Sequence, residues 1–170
     1  MAESNNQPVP TLSSLNHILV MPLKHLFPPF LNKIVTPKTY ERWLGRKATA
    51  HSRRDRKRGH SASTRSLYKE AIHAAVCKSE GLDTYTGESL DWKLISTYKN
   101  EDSKIGRHAY KARFALLPTV DHVDAGATKA SFVICGWRTN DAKHDQSLAE
   151  FINLCEKVLI HAGYTVKRRA

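Results

Sequence analysis

Residues 117–123, with the sequence LPTVDHV, place an aspartate and a histidine side by side at the end of an apolar run. We predict a β-strand over about residues 114–120, in which Pro118 indicates an edge strand or a bend. Adjacent strand residues point to opposite faces, so Asp121 and His122 would not share one core. A bend before them could bring both to one reacting centre. The pair therefore indicates either chemistry or an ordinary turn.

The segments after the pair predict a second strand and a short helix. The strand is SFVICGW, residues 131–137, and the helix covers residues 138–145. A helix folded across such a hairpin begins beside the end of the first strand, so Asp121 and Asn140 should converge. Carboxylate and amide oxygens suit a hard cation such as Mg²⁺, which also keeps water and substrate phosphate. The neighbouring His122 could then remove a proton from an attacking water.

This arrangement resembles the HNH, or ββα-metal, endonuclease family over about residues 83–160. TGESLDW at 86–92 is similar to the family's upstream hairpin, PTVDHV at 118–123 to its Asp-His strand, and WRTNDAK at 137–143 to its N-x-x-K helix. Each piece is common alone, but their order makes the composite more specific. The resemblance implies an α+β fold, a ββα-metal hairpin-helix core with amino-terminal and carboxy-terminal helices.

The resemblance also implies the roles of a single-metal phosphodiesterase. Asp121 and Asn140 would hold Mg²⁺ (or Mn²⁺), His122 would be the general base, and Lys143 would neutralise phosphate. His144 lies four residues after Asn140, a spacing that puts both on one face of a helix. It is a candidate third metal ligand or phosphate contact, and the alternative is a histidine that faces solvent.

Two features depart from the family pattern. Many members carry zinc-binding cysteine pairs, but Cys77, Cys135 and Cys155 are widely spaced, so no structural zinc is expected. We expect Cys135 and Cys155 to be small core residues. The family's middle asparagine, which orients the base histidine, has no counterpart, so either a backbone carbonyl replaces it or the site is impaired. Packing should hold the hairpin instead of zinc, around Trp92, Phe114, Ile134, Trp137 and Phe151.

The chain is strongly basic, with 27 Lys and Arg against 16 Asp and Glu and a formal net charge of +11. A polyanionic partner is the natural inference. The positive charge is densest in residues 46–58, where the only acid is Asp55. We predict that this segment contacts the phosphates of duplex DNA, and the alternative is a solvated helix end. Its seven cations are Arg46, Lys47, Arg53, Arg54, Arg56, Lys57 and Arg58.

Capping residues and apolar periodicity predict three longer helices. The first begins at Thr36-Pro37 and buries Tyr40, Trp43, Leu44 and Ala48. The second begins near Ser66 and buries Leu67, Ala71, Ile72, Ala75 and Val76. The third opens with a capping box at Ser147 and Glu150, ends near Gly163, and faces the core through Phe151, Leu154, Cys155, Val158 and Leu159. Residues 99–108 are predicted to form a polar surface loop.

The 170 residues suit one domain with extensions. We divide them into an amino-terminal arm (1–35), a basic helical DNA-binding region (36–82) and an HNH-like nuclease domain (83–170). The apolar stretch at 15–27 is interrupted by proline, histidine and lysine, so we expect neither a signal peptide nor a membrane partner. The cysteine pattern favours a reducing compartment, and a cytoplasmic location is expected.

The preferred hypothesis is a metal-dependent DNA endonuclease with a role in restriction, phage defence, homing or phage DNA processing. Two alternatives stay open. One is a non-catalytic DNA-binding protein that uses the basic segment alone, and the other is an HNH-type ribonuclease or toxin. The oligomeric state cannot be read from the sequence, although a dimer is compatible with it.

Overall fold

The computed structural model describes residues 25–59, 64–123 and 130–167, which fold as an α+β protein. Within these ranges the helices are α1 (Pro37–Lys57), α2 (Arg65–Ser79), α3 (Asn100–Ala112), α4 (Trp137–Lys143) and α5 (Leu148–His161). Two strands, β1 (Pro118–His122) and β2 (Phe132–Gly136), pair antiparallel, and 3-10 turns occupy Pro29–Leu31 and Trp92–Ser96. Most of the predicted arm and the loop at 124–129 lie outside the described residues. No described helix has the length and apolar character needed to span a membrane.

The first helix begins where its cap predicts. The hydroxyl of Thr36 accepts a hydrogen bond from the backbone N–H of Thr39, and Pro37 occupies the first turn. The predicted stripe of α1 is buried, as is most of the stripe of α2. Ala71 is half-buried, and Leu67 is 49% exposed because the neighbouring Tyr68 takes the buried position. Residues of both helices share one core with the hairpin, through side chains such as Ile134.

The hairpin starts later than its apolar run suggests. Phe114 belongs to a turn that closes on Lys111, and β1 begins only at Pro118. Asp121 pairs with Val133 within the antiparallel ladder, so the acid-histidine pair forms the end of the strand. No bend separates the pair from the strand. The second strand lies where it was predicted.

Residues 100–108 belong to α3, so the prediction of a surface loop over residues 99–108 is wrong. Glu101 and Asp102 in the first turn favour a helix start through the helix dipole. The polar composition that suggested a loop therefore reflects a solvated helix. The helix is interrupted at Arg107, whose φ of 43° is not helical.

The last helix has the predicted start but not the predicted burial. Ser147 and Glu150 form the reciprocal capping box that opens α5. No residue of α5 is buried, and the expected core stripe is exposed or, at Phe151, half-buried. Cys155 is accordingly exposed, whereas Cys135 is buried as predicted. Helical periodicity identifies an apolar face but does not show what covers it.

Candidate active site

Asp121 is held by two donors near the end of β1. Its Oδ2 accepts a hydrogen bond from the phenol of Tyr85 at 2.7 Å and lies 3.0 Å from Nζ of Lys143. Lys143 comes from α4 and is only 4% exposed. Burial, followed by the bond to Asp121, raises the pKa of Tyr85, so the phenol keeps its proton. The predicted metal ligand and the predicted phosphate contact are therefore paired with each other.

His122 is anchored by a carboxylate from α1. Its Nε2 lies 2.9 Å from Oδ2 of Asp55, which also accepts a hydrogen bond from the hydroxyl of Tyr68 at 2.6 Å. Burial opposes the ionisation of Asp55, but the hydrogen bonds from Tyr68 and His122 outweigh it and lower its pKa. A carboxylate at Nε2 favours a proton on that nitrogen, which leaves Nδ1 to accept another. Asp55 therefore fixes the orientation of the His122 imidazole.

A second histidine lies against the first. The rings of His51 and His122 have centroids 4.9 Å apart, and His51 is buried. Its Nε2 lies 2.9 Å from Nη2 of Arg54. Burial, followed by the nearby positive charge of Arg54, lowers the pKa of His51 to about 2. His51 is therefore neutral and brings no positive charge to its neighbour.

These side chains open onto a cavity of about 760 Å³. α1 adds His51 and Arg54 to its wall, and Arg58, the C-cap of α1, adds a second arginine. The two arginines are exposed, and guanidinium groups match phosphate oxygens in geometry and charge. All five residues predicted as catalytic or metal-binding line the same cavity, namely Asp121, His122, Asn140, Lys143 and His144.

The helix that carries Asn140 is fixed by Asp83, a carboxylate that is 1% exposed. Its Oδ2 accepts hydrogen bonds from the backbone N–H of Gly136 at 2.7 Å and from the hydroxyl of Thr139 at 2.8 Å. Its Oδ1 accepts from two backbone N–H groups of the preceding turn, those of Tyr85 and Thr86. Asp83 therefore joins that turn to the first turn of α4.

His144 does not share the helical geometry of Asn140. The helix ends at Lys143, and His144 is its C-cap with a φ of 54°. The imidazole Nδ1 lies 2.6 Å from a carboxylate oxygen of Asp145, and this hydrogen bond raises the pKa of His144. The side chain lines the cavity but is already paired.

The seven cations predicted to bind DNA occupy different environments. Lys47 is the half-buried member, and its ammonium donates a hydrogen bond to the hydroxyl of Thr119 at 3.0 Å. Burial, followed by the charge of Arg54, lowers the pKa of Lys47 to about 8. Lys47 therefore lies on the core side of α1. The exposed members are Arg46, Arg53, Arg54, Arg56, Lys57 and Arg58.

The Asp121 carboxylate and the Asn140 amide, which both line the cavity, carry oxygen ligands of the kind that a hard divalent cation prefers. Both partners of Asp121 described above engage Oδ2, and the amide of Asn140 lines the same wall. Among the described residues, no group of three or more His, Cys, Asp or Glu side chains is arranged to hold a metal. Two protein oxygens would suffice for Mg²⁺, because this ion keeps several waters and substrate phosphates as ligands.

Sequence reasoning missed four contributors to the site: His51, Asp55, Tyr68 and Tyr85. The only local signal for Asp55 is its position as the one acid in a basic run. Comparisons of the chain with protein-family models, curated proteins and solved structures gave no match. Its function must therefore be inferred from the residues and their geometry.

Proposed function

We propose that the chain is a metal-dependent DNA endonuclease of the HNH type. The observation that supports this most is the presence of Asp121, His122 and Asn140 on one cavity edged by Arg54 and Arg58. β1, β2 and α4 follow one another in the order of a ββα-metal core. The strongly basic composition agrees with a nucleic-acid substrate.

His122 is the general base in this proposal. Asp55 holds Nε2, and Nδ1 takes a proton from the water that attacks the phosphorus. Arg54 and Arg58 bind the non-bridging oxygens and orient the phosphodiester for in-line attack.

Asp121 and Asn140 are the proposed ligands of Mg²⁺ or Mn²⁺. The bound cation supplies charge neutralisation at the phosphate and at the departing oxygen. Tyr85 and Lys143 fix the Asp121 carboxylate from one side. Without a cation, Lys143 also compensates the charge of a buried carboxylate that would otherwise be costly.

The test is cleavage of supercoiled plasmid by purified protein in Mg²⁺ and in EDTA. His122→Ala should slow metal-dependent nicking by about 10²- to 10⁴-fold because it removes the base. Duplex affinity, measured in EDTA, should stay near that of the wild type, because the exposed arginines remain. His161→Ala, which removes an exposed histidine of α5 outside the cavity, is the matched control.

The alternatives give different results in the same assay. A non-catalytic DNA-binding protein would bind the plasmid without nicking it at any metal concentration. A ribonuclease would cut single-stranded RNA and leave the plasmid intact. Nicking by His122→Ala at the wild-type rate would remove the proposed base from the mechanism.

A further inference from the structure

A second basic groove lies between α1 and α2, with a volume of about 500 Å³. None of the described residues that line this groove also lines the cavity of the proposed active site. Five of its nine lining residues are cations and one, Glu41, is an acid, so the groove carries a clear excess of positive charge. The cations are Arg42, Arg46 and Arg53 of α1 with Arg65 and Lys69 of α2.

Two of these cations are engaged by the protein itself. Lys69 is paired with Glu41, and Arg46 donates to the backbone carbonyl of Ile95. The other three, Arg42, Arg53 and Arg65, have no carboxylate within ion-pair distance in the described part of the chain. Three guanidinium groups around one groove repel each other, so the groove favours an anion that spans them.

Arg65 is placed to act together with the arginines of α1. Its guanidinium lies against α1 at Gly45, between the arginines at positions 42 and 53. Arg65 also opens α2, whose N-terminus adds partial positive charge.

We propose that this groove binds backbone phosphates of duplex DNA on one side of the phosphodiester held in the cavity. Arginine is the side chain best matched to phosphate in geometry and charge. Among the described residues that line the groove, none is aromatic. Grooves that hold single strands combine cations with aromatic rings on which bases stack, so this groove suits a duplex backbone.

The helix α1 contributes side chains to both the groove and the cavity, so the two sites lie on different faces of one helix. At about 100° per residue, Arg42 and Arg53 lie roughly 100–160° around the axis of α1 from Arg54 and Arg58, on a helix about 10–12 Å wide. A duplex carries one charge per about 1.7 Å of its axis, so one duplex can supply phosphates to both sites. This inference rests on the proposed function for the identity of the substrate.

A matched pair at Thr49, on the wall of the groove, tests the proposal without removing any arginine. Thr49→Glu and Thr49→Gln lose the same hydrogen bond to the carbonyl of Gly45 and differ in one charge. Affinity for a fluorescent 30-base-pair duplex is measured by anisotropy in EDTA, where no cleavage occurs. Thr49→Glu should bind on the order of tenfold more weakly, and Thr49→Gln should bind like the wild type.

A second comparison measures the number of phosphate contacts. The triple variant Arg42→Gln, Arg53→Gln, Arg65→Gln should reduce the slope of log affinity against log salt by about 2–3. The control removes the same charge outside both sites through Lys33→Gln, Lys78→Gln and Lys93→Gln, all exposed residues, and should keep the wild-type slope.

Equal slopes for the two triple variants would overturn the proposal. A selective loss of affinity for single-stranded RNA, with duplex binding unchanged, would overturn the assignment to duplex DNA. Because binding is measured in EDTA, the result is independent of catalysis. If the wild type never cuts DNA but the groove variants still lose duplex binding, the groove stands and the nuclease proposal falls.

Discussion

At the scale of single residues, His122 depends on a carboxylate that lies 67 positions earlier in the chain. The predicted catalytic and metal-binding residues all lie in the hairpin, in α4 or at its C-cap. They could be chosen because an Asp-His pair and an N-x-x-K spacing are visible in the sequence. Asp55 could not be chosen in this way. In the sequence, an acid among seven cations indicates a solvated surface. Asp55 is buried because α1 packs against α2 and the hairpin.

Asp55 is the proposed positioning residue of the base, and Asp55→Asn tests this role. The amide keeps the size of the side chain and one acceptor oxygen, but it removes the negative charge that faces Nε2 of His122. The charge-assisted hydrogen bond that fixes the imidazole is therefore weakened. We expect kcat for plasmid nicking to fall about 100-fold, with KM and duplex affinity near wild-type values. A purely structural role would change stability and leave kcat of the folded fraction intact.

Tyr68→Phe is the control for this prediction. It removes the hydroxyl that donates to Asp55 but keeps the contact between the carboxylate and His122. Its effect on kcat should be clearly smaller. An Asp55→Asn enzyme with an unchanged kcat would show that the carboxylate does not position the base.

At the scale of elements, local rules predicted starts and apolar faces but not what covers those faces. The caps at Thr36 and Ser147 and the second strand lie where the sequence indicates them, because each depends on a few adjacent residues. The burial of Tyr68 and the exposure of the α5 face depend on neighbours distant in sequence. The helix at Asn100–Ala112 was missed because a solvated helix and a polar loop have similar compositions.

The position of α4 should depend on the hydrogen bonds that the Asp83 carboxylate accepts, and Asp83→Asn tests this. Backbone N–H groups donate to both carboxylate oxygens. An amide must therefore direct its NH₂ group at an N–H donor in either orientation. We expect a loss of about 1–3 kcal/mol in the free energy of unfolding, measured with urea, and slower plasmid nicking.

Asp91→Asn provides the matched control. Asp91 is exposed and caps the 3-10 turn at Trp92–Ser96 by accepting from the N–H of Lys93. Asparagine serves as an N-cap about as well as aspartate, so stability should hardly change. Equal stabilities for the two variants would show that the buried carboxylate is not needed to hold α4.

At the scale of the whole molecule, the amino-terminal helices and the hairpin share one hydrophobic core. Trp43 of α1 and Ile72 of α2 pack in the same cluster as Trp92 and Ile134. The basic helix α1 therefore also forms part of this core. It carries His51 into the wall of the cavity and places Asp55 against His122, so the orientation of the proposed base depends on the packing of the entire core.

His51 lies where α1 packs against the hairpin, and it should make the free energy of unfolding sensitive to acid. Its pKa is lowered mainly by burial, from 6.5 to about 2, so the unfolded chain binds a proton between these values and the folded chain does not. The stabilisation is complete above pH 6.5 and is lost as the pH falls towards 2. This one residue should lower the free energy of unfolding by about 1.4 kcal/mol per pH unit below 6.5.

His73, whose pKa burial also lowers, acts in the same direction, so the contribution of His51 must be isolated by difference. Urea titrations from pH 7 to pH 4 should therefore give a shallower pH dependence for both His51→Phe and His51→Gln than for the wild type, whatever their absolute stabilities. Three parallel curves would mean that His51 is not held neutral at the junction between α1 and the hairpin.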